Sequence, residues 1–265
     1  LGRAKVVPAL ALVRVGQRPD DLSYERTARK RAESLGIAIR PYELDEFAPQ
    51  AAIEAAIHEV NRDENVHGCL LFRPLPSFVD ESHMCELLDP KKDIDGITLA
   101  SLASVFTDGH AGYPPATAAA CIQLLDHYQV PLQGKHVVVV GRSLVVGKPV
   151  SMMLLRRNAS VTICHSKTEN LADIMRSADV VICATGRART FGAQFFGPGQ
   201  TVLDVGINFD TQGNLCGDVD FAEVEPVVAA ITPVPGGIGT VTTSVTMAHT
   251  VAAAEAALAA RTGRR

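Results

Sequence analysis

The sequence predicts an α/β protein in which mostly parallel strands alternate with helices. Short apolar runs recur along the chain, charged or amphipathic stretches separate them, and four valines at 137–140 give one run the strongest strand character. This alternation is typical of βαβ units, whose strands form a mainly parallel sheet. With 265 residues, the chain is long enough for one large domain or two modest ones.

The first third of the chain carries three predicted strands and two predicted helices. Gly36 stops the first helix, and Pro74 and Pro76 end the third strand, because neither residue type continues regular structure easily. The predicted elements are strands at 9–13, 37–39 and 69–72 and helices at 22–35 and 49–61.

The pair Pro114-Pro115 marks the predicted boundary with a second α/β unit. In that unit a valine-rich strand runs directly into a glycine-containing turn and a helix, which is the pattern of a doubly wound, Rossmann-type sheet. We therefore predict a Rossmann-type domain at 117–242 and a smaller α/β domain at 1–116 that is completed by a C-terminal helix within 243–265. The elements predicted here are helices at 118–128, 149–157 and 244–260 and strands at 135–140, 160–164, 180–184 and 201–205.

Composition narrows the possible functions. Twenty-five basic and twenty-nine acidic residues give a net charge of −4, which argues against a general nucleic-acid binder. No apolar run approaches the roughly 18–20 residues of a membrane span, and the first residues lack the apolar core of a signal peptide. Six widely spaced cysteines predict buried free thiols rather than a metal site. We expect a cytoplasmic protein, and the absence of an initial Met predicts that the chain begins inside its gene product.

A strand, a glycine-containing turn and a helix follow one another after residue 135. Gly141 and Gly147 permit close backbone approach, and a helix beginning near Pro149 would offer free N–H groups to a phosphate. The spacing differs from the usual GxGxxG pattern. A dinucleotide-binding turn and a plain strand–helix turn therefore both remain open on this motif alone.

The end of the next strand bears on the choice of cofactor. NAD-selective sites place a carboxylate there to receive the ribose hydroxyls. Here His165 and Lys167 follow the strand, and the first carboxylate is Glu169. With Arg142 in the preceding turn, these residues favour the 2′-phosphate of NADP, whereas the alternative interpretation of Arg142 is a solvated loop charge.

Two further segments are ambiguous by themselves. Residues 233–239 contain two prolines and three glycines, a composition suited to a loop that approaches a planar ligand or to a structural turn before the last helix. The acidic segment Lys92-Asp93-Ile94-Asp95-Gly96 could equally be an ordinary turn.

Taken together, these motifs resemble the methylenetetrahydrofolate dehydrogenase/cyclohydrolase family. The resemblance covers nearly the whole chain and is most specific from Gly134 onward. The matching motifs, in order, are Lys92-Asp93-x-Asp95-Gly96, Gly141-Arg142-Ser143-x-x-Val146-Gly147-x-Pro149, Val161-Thr162-x-Cys164-His165-Ser166, Asp204-Val205-Gly206-Ile207-Asn208, Gly217-Asp218-Val219-Asp220-Phe221 and Pro233-x-Pro235-Gly236-Gly237-x-Gly239.

The resemblance implies two α/β domains with a folate cleft between them and a homodimer formed through the cofactor domain. It implies a dehydrogenase that moves a hydride from 5,10-methylenetetrahydrofolate to NADP, and a cyclohydrolase that converts the methenyl product to 10-formyltetrahydrofolate. The residues that would contact the cofactor are Gly141, Arg142, Ser143, Ser166 and Ile207.

The chain departs from the family pattern at its chemical centre. The family places a Lys four residues after a helical Tyr and a Gln before a Pro-x-Pro segment. Here Tyr24 is kept, but Ala28 stands at the Lys position and Phe72 at the Gln position. A Pro-Cys-Thr-Pro segment becomes 115–118, Pro-Ala-Thr-Ala, and a Pro-Met-Thr segment becomes 240–242, Thr-Val-Thr. The family's opening helix is also missing.

No neighbour replaces the missing Lys convincingly. Lys30 lies about 200° around the helix from position 28, and Arg31 lies about 10 Å along the axis from Tyr24. Arginine also stays protonated and cannot act as a general base. Arg73 and Glu25 remain conceivable substitutes without a pattern that supports them.

These observations predict an NADP-dependent 5,10-methylenetetrahydrofolate dehydrogenase with cyclohydrolase activity reduced or lost. Positioning is the main requirement of hydride transfer, so that step can survive without the Lys. Asp95 is the candidate pterin anchor, Tyr24 a residue that stacks on the folate ring, and Pro235-Gly236-Gly237 a wall of the cleft. The alternatives are a non-catalytic folate- or cofactor-binding homologue and a dehydrogenase of the same fold that acts on another small molecule.

Overall fold

The computed structural model describes Leu1 and residues 6–263. The chain divides into two compact units, of which the first comprises Leu1–Ala116 and Thr243–Arg265 and the second comprises Thr117–Thr242. Each unit holds its own parallel sheet. The predicted α/β class is therefore confirmed.

The first unit is built on a three-stranded parallel sheet. Strand β1 (Ala9–Val15) lies between β2 (Ala38–Leu44) and β3 (Gly68–Leu71), and all seven of its residues are buried. The helices of this unit are α1 (Pro19–Ser34), α2 (Gln50–Arg62), α3 (Glu81–Leu87) and α4 (Leu99–Thr107), and most of α9 (Ile238–Thr262) also belongs to it.

Strand β1 contributes to two separate cores, because successive side chains of a strand point to opposite faces. Ala11 and Val13 pack in one apolar cluster with residues of α2 and β3. Leu10 and Leu12 pack in the other, which contains buried residues of α1 and α9. The C-terminal helix is thus part of the first unit's core.

Four elements of the first unit differ from the predictions. Helix α1 begins at Pro19 rather than Leu22, since proline is well suited to a first helical position and two aspartates follow it. Strand β2 extends to Leu44 through Pro41, which an edge strand tolerates. Helices α3 and α4 were not predicted, because each is short and is defined mainly by its capping residue, Asp80 or Thr98.

The second unit is built on a five-stranded parallel sheet in the order β10-β7-β6-β4-β5. Its strands are β4 (His136–Val140), β5 (Ser160–Cys164), β6 (Val180–Cys183), β7 (Thr201–Asp204) and β10 (Ala230–Ile231). Its helices are α5 (Ala116–His127), α6 (Gly147–Arg156), α7 (Leu171–Arg176) and α8 (Phe221–Val224). The first residue of α5, Ala116, still belongs to the first unit. A short antiparallel hairpin joins β8 (Asn208–Phe209) to β9 (Leu215–Cys216).

Helix α9 begins six residues before the predicted position, at Ile238 instead of Ser244. Threonine hydroxyls stabilise this first turn: Thr240 Oγ1 donates to the Gly237 carbonyl at 2.7 Å, and Thr242 Oγ1 donates to the Ile238 carbonyl at 3.0 Å. Gly239, predicted as part of the glycine loop, is therefore helical.

The six cysteines are buried free thiols, as predicted. In the part of the chain that the structure describes, none of the helices combines the length and apolar character needed to cross a bilayer. Within the same residues, no group of three or more His, Cys, Asp or Glu side chains is arranged to hold a metal ion.

Candidate functional site

The first charged residue of the 92–96 segment has a structural role. Lys92 Nζ donates to three backbone carbonyls at the end of α2, those of Val60 at 2.6 Å, Asn61 at 3.0 Å and Asp63 at 2.7 Å. A cation at a helix C-terminus satisfies carbonyls that have no partner within the helix. Lys92 therefore fixes the segment to α2.

Asp93 is also fully engaged in the fold. It is completely buried and accepts hydrogen bonds from the backbone N–H groups of Ile97 (2.9 Å) and Thr98 (2.8 Å) and from the Ser101 hydroxyl (2.6 Å). These bonds shape the turn into α4. Of the two aspartates in the segment, only Asp95 is left for chemistry.

Gly96 holds the backbone beside Asp95 in a conformation that suits glycine. Its φ is +68°, and a Cβ atom there would lie 2.3 Å from the Pro115 nitrogen. Residues 92–96 are therefore packed directly against the Pro114-Pro115 segment. The same contact region brings the Ala116 N–H to the Asp95 carboxylate.

We expect Gly96→Ala to destabilise the protein by about 2–4 kcal/mol, because the new methyl group meets backbone that cannot move away. Gly36→Ala is the matched control: its φ is +70°, but nothing lies within 4 Å of the added methyl group. The control should lose only about 1 kcal/mol from backbone strain. Urea unfolding measures both values, and equal losses would contradict the packing argument.

Asp95 titrates near neutrality. Burial raises the pKa of its carboxyl from 3.8 to about 7; the Arg73 charge and the Ala116 N–H act in the opposite direction, while the Asp93 charge adds to the increase. A carboxyl of this kind can hold or release a proton at physiological pH. It can also accept hydrogen bonds from an amino-pyrimidine ring, or donate one when protonated.

The raised pKa of Asp95 has a testable effect on stability. Between about pH 4 and pH 7 the folded state holds a proton that the unfolded state has released, so the contribution of Asp95 to stability falls as the pH rises through this window. We expect Asp95→Asn to melt at a higher temperature than the parent at pH 8 and at nearly the same temperature at pH 4. Calorimetric melting curves across the window check this.

Asp210→Asn is the control of opposite sign. Hydrogen bonds, above all from the Asn214 N–H, lower the pKa of Asp210, so removing its charge should lower the melting temperature at pH 8. If both substitutions lowered the melting temperature at pH 8, the environment of Asp95 would not favour its neutral form.

Tyr24 lies next to Asp95. Burial and the Asp95 charge raise the pKa of Tyr24 to about 12, although hydrogen bonds with the Thr246 and Thr243 side chains act in the opposite direction. Tyr24 therefore keeps its proton at neutral pH and acts as a hydrogen-bonding and ring-contact residue, not as a base. The structure brings together the two first-unit residues that the sequence singled out.

Thr243 and Thr246 were missed as site residues. They are separated from Tyr24 by more than 200 positions, and only the return of α9 into the first unit places them beside it. The one sequence signal was the threonine-rich start of the last helix, at 240–246.

Apolar side chains fill the positions of the family's Lys and Gln. Ala28 is 1% exposed and Phe72 is 5% exposed, and both belong to one core cluster. The rings of Tyr24 and Phe72 meet edge to face with centroids 6.0 Å apart. Apolar side chains therefore lie on the side of Tyr24 where the family has the amine of its Lys.

Neither conceivable substitute for the Lys is a free base. Glu25 is buried and paired with two guanidinium groups, those of Arg14 and Arg29, each at 2.7 Å. Although burial raises the pKa of Glu25, these hydrogen bonds hold it below its ordinary value. Arg73 lies 3.7 Å from Glu81 and adds a positive charge near Asp95. Glu25 is thus excluded as the replacement base, and Arg73 acts only through its charge.

In the second unit, Gly141 and Gly147 form a close turn after β4. The φ of Gly141 is +134°, and a Cβ atom there would lie 2.2 Å from the Ala184 carbonyl oxygen. A Cβ atom on Gly147 would lie 2.1 Å from the Gly141 carbonyl oxygen. Larger residues would open this turn, so both glycines are required for its shape.

The turn leads directly into α6, whose N-terminus lies behind it. Ser143 stabilises it twice: its hydroxyl accepts from the Val146 N–H at 3.1 Å, and its carbonyl accepts from the Lys148 N–H at 3.0 Å. A helix N-terminus behind a glycine turn is an anion-binding arrangement. Ser143 itself remains exposed.

Arg142 and Ser166 lie on adjacent loops. Val140 pairs with Cys164 in the sheet, and the Gly141 N–H donates to the Cys164 carbonyl at 2.9 Å, so the loops after β4 and β5 start side by side. Bonds between His165 and Thr168 close the second loop tightly. Arg142 and Ser166 are both exposed there.

Ile207 follows β7 at the same, carboxyl edge of the sheet and is 59% exposed. Pro235, Gly236 and Gly237 follow β10 in the same unit. The φ of Gly236 is +101°, and a Cβ atom on Gly237 would lie 2.4 Å from the Pro233 carbonyl oxygen. The second unit therefore gathers the predicted cofactor residues at the carboxyl ends of parallel strands, where such sheets bind ligands.

Comparison with known proteins assigns both units. Residues 115–258 match the tetrahydrofolate dehydrogenase/cyclohydrolase NAD(P)-binding domain, and residues 1–95 match the catalytic domain of that family. The bifunctional protein FolD of Carboxydothermus hydrogenoformans is 49% identical over 252 residues, which cover 94% of this chain and 88% of that protein.

Solved structures agree with this assignment. The bifunctional FolD enzyme of Campylobacter jejuni has a TM-score of 0.93 at 34% identity, covering 96% of this chain and 90% of that one. The Trypanosoma brucei dehydrogenase-cyclohydrolase, solved with NADP cofactor and an inhibitor, has a TM-score of 0.90 at 32% identity, covering 95% and 88%. The chain belongs to the tetrahydrofolate dehydrogenase/cyclohydrolase family, and its second unit carries that family's NAD(P)-binding domain.

Proposed function

We propose that this protein is an NADP-dependent 5,10-methylenetetrahydrofolate dehydrogenase of one-carbon metabolism, with its cyclohydrolase activity absent or strongly reduced. One observation supports the retention of the dehydrogenase activity and the loss of the cyclohydrolase activity. Asp95 and Tyr24 adjoin each other as the binding role requires, whereas Ala28 and Phe72 place only apolar surface where the family has its proton-transfer group.

The first unit would bind the folate. Asp95 offers a carboxyl to the polar edge of the pterin, and its pKa of about 7 lets it serve as acceptor or donor there. Tyr24 offers a ring face, and Thr243 and Thr246 hold its hydroxyl. These groups orient a substrate, and orientation is the main demand of hydride transfer.

The second unit would bind NADP. The turn between Gly141 and Gly147 packs too closely for a Cβ atom on either glycine, and the positive end of the α6 dipole lies behind it, so the site suits a pyrophosphate. Arg142 would pair with the 2′-phosphate, while Ser143, Ser166 and Ile207 would contact the rest of the dinucleotide. When bound, the nicotinamide supplies the hydride acceptor.

Hydrolysis of the methenyl product has a different requirement. Water must lose a proton as it attacks the methenyl carbon, and a positioned base commonly accelerates such a step by about 10²–10⁴-fold. Ala28 has no ionisable group, Phe72 fills space that a water would need, and Glu25 is paired with two arginines. The dehydrogenase half is therefore retained without the hydrolytic half.

Calorimetric titration with NADP, NAD and a tetrahydrofolate derivative, paired with a dehydrogenase assay, tests this function. We expect binding of NADP and folate together with turnover of 5,10-methylenetetrahydrofolate. Folate binding without turnover would instead support a non-catalytic binding protein. Cofactor binding without folate binding would support a dehydrogenase that acts on another small molecule.

We also propose that the protein is a cytoplasmic homodimer formed through its second unit. Six buried thiols suit a reducing compartment. The second unit exposes large apolar side chains on its hairpin and on α6, namely Phe209 and Leu155, each 58% exposed. Sedimentation equilibrium should give twice the mass of 28.2 kDa, and a monomer at micromolar concentration would contradict the dimer.

A further inference from the structure

A pair of carboxylates lies buried at the carboxyl edge of the second unit's sheet. Asp204 ends β7 and is 3% exposed, and Asp218 follows β9 and is fully buried. Every hydrogen-bond donor recorded for the two side chains in the described part of the chain is a neutral N–H or O–H group. Buried charges without a cationic partner are costly, so such a pair needs an explanation.

Two glycines bring the two segments together. A Cβ atom on Gly206 would lie 2.2 Å from an Asp218 carboxylate oxygen, and a Cβ atom on Gly217 would lie 1.8 Å from an Asp204 carboxylate oxygen. The Asp218 N–H also donates to Asp204 at 2.9 Å. Each aspartate thus packs on the glycine beside the other, which accounts for two of the motifs in the sequence, Asp204-x-Gly206 and Gly217-Asp218.

Asp218 organises the loop that follows β6. Its carboxylate accepts from the N–H groups of Thr185, Gly186 (3.2 Å) and Arg187 (2.9 Å), and from the Thr185 hydroxyl at 2.9 Å. Three consecutive N–H groups therefore point at one side chain. Asp218 therefore holds the backbone of residues 185–187 through three hydrogen bonds.

The same pair fixes both neighbours of Ile207. The Gly206 N–H donates to Asp204 at 3.0 Å, and Asn208 Nδ2 donates to Asp218 at 3.0 Å. Ile207 itself is exposed between these two anchored residues. The hydrogen bonds of these two neighbours therefore fix the backbone on both sides of Ile207.

We propose that Asp218, supported by Asp204, is a positioning residue for the dinucleotide. It sets the loops at 185–187 and 205–208 in their binding conformation before the cofactor arrives, so that binding need not pay for ordering them. This inference rests on the proposed NADP binding of the second unit. It assigns a role to two buried residues outside the predicted set of cofactor contacts.

Asp218→Asn tests the inference, because an amide nitrogen cannot accept the hydrogen bonds that one carboxylate oxygen now receives. We expect the dissociation constant for NADP, measured by calorimetry, to rise at least tenfold, with folate affinity and kcat at saturating NADP changed less than twofold. In the free protein, the amides of 185–187 should exchange hydrogen faster. Asn208→Ala, which removes one donor, should weaken NADP binding by a smaller factor of about three to ten.

Asp210→Asn is the matched control. Asp210 also accepts backbone N–H bonds, from Gln212 and Asn214, but within the hairpin turn. The Asp210→Asn substitution should lower thermal stability and leave NADP affinity unchanged. Unchanged NADP affinity in both Asp218→Asn and Asn208→Ala would overturn the inference, as would equal losses of NADP and folate affinity. If the parent protein fails to bind NADP at all, the proposed function fails instead.

Discussion

The purified protein should leave the rate of 5,10-methenyltetrahydrofolate hydrolysis close to that in buffer. The side of Tyr24 where the family places its amine is closed by Ala28 and Phe72, which are 1% and 5% exposed. Loss of a positioned proton-transfer group costs about 10²–10⁴-fold in rate. Decay of the methenyl absorbance with and without the protein measures the effect directly.

The double variant Ala28→Lys/Phe72→Gln should recover hydrolysis, by a factor of the same order if the fold accommodates the amine. Ala28→Met/Phe72→Gln is its matched control, because methionine has nearly the length of lysine and no ionisable group. A gain in the first variant alone identifies the amine as the missing element. Rapid hydrolysis by the parent protein would refute the proposal and require another base, and Glu25 could serve only after leaving both of its arginines.

Arg142→Ala should weaken NADP binding by about 10–100-fold and NAD binding by much less. A guanidinium pairs with a phosphate through two charge-assisted hydrogen bonds, and only NADP carries the 2′-phosphate. Arg142 is exposed beside the loop that holds Ser166, where that phosphate would lie. Titration calorimetry with both cofactors measures the two losses.

Arg142→Lys separates charge from geometry in this site. It should recover part of the NADP affinity, since lysine keeps the charge but not the planar pair of donors. Equal losses of NADP and NAD affinity in Arg142→Ala would refute the phosphate role. Such a result would make Arg142 a residue that shapes the turn.

Most of the sheet could be predicted from the sequence, whereas much of the site could not. The strand at 136–140 is predictable because four consecutive valines strongly favour a buried strand. The capped helices α3 and α4 are harder, since their limits depend on single side chains such as Asp80 and Thr98. Strand β2 extends further than its apolar residues indicate because pairing with β1 supports it.

The site depends on contacts between distant parts of the chain. Tyr24 could be identified from its helix, but its partners Thr243 and Thr246 come from the far end of the sequence. The spacing of residues 92–96 does not reveal that the Asp93 carboxylate is used in hydrogen bonds to the turn before α4, whereas Asp95 remains available to bind a ligand. The local sequence of Glu25 indicates Arg29, one helical turn away, but it does not indicate Arg14, which lies in β1.

Most residues of the 92–96 motif have a structural role, and this has a consequence for how the family evolves. Lys92 closes the end of α2, Asp93 shapes the entry to α4, and Gly96 allows the contact with Pro115. Selection for folding alone would preserve three of the four polar or glycine residues of this motif in a descendant that had stopped turning over substrate. The motif is therefore evidence of a shared architecture, whereas the activity that remains must be judged at positions such as 28 and 72, where this chain departs from the family pattern.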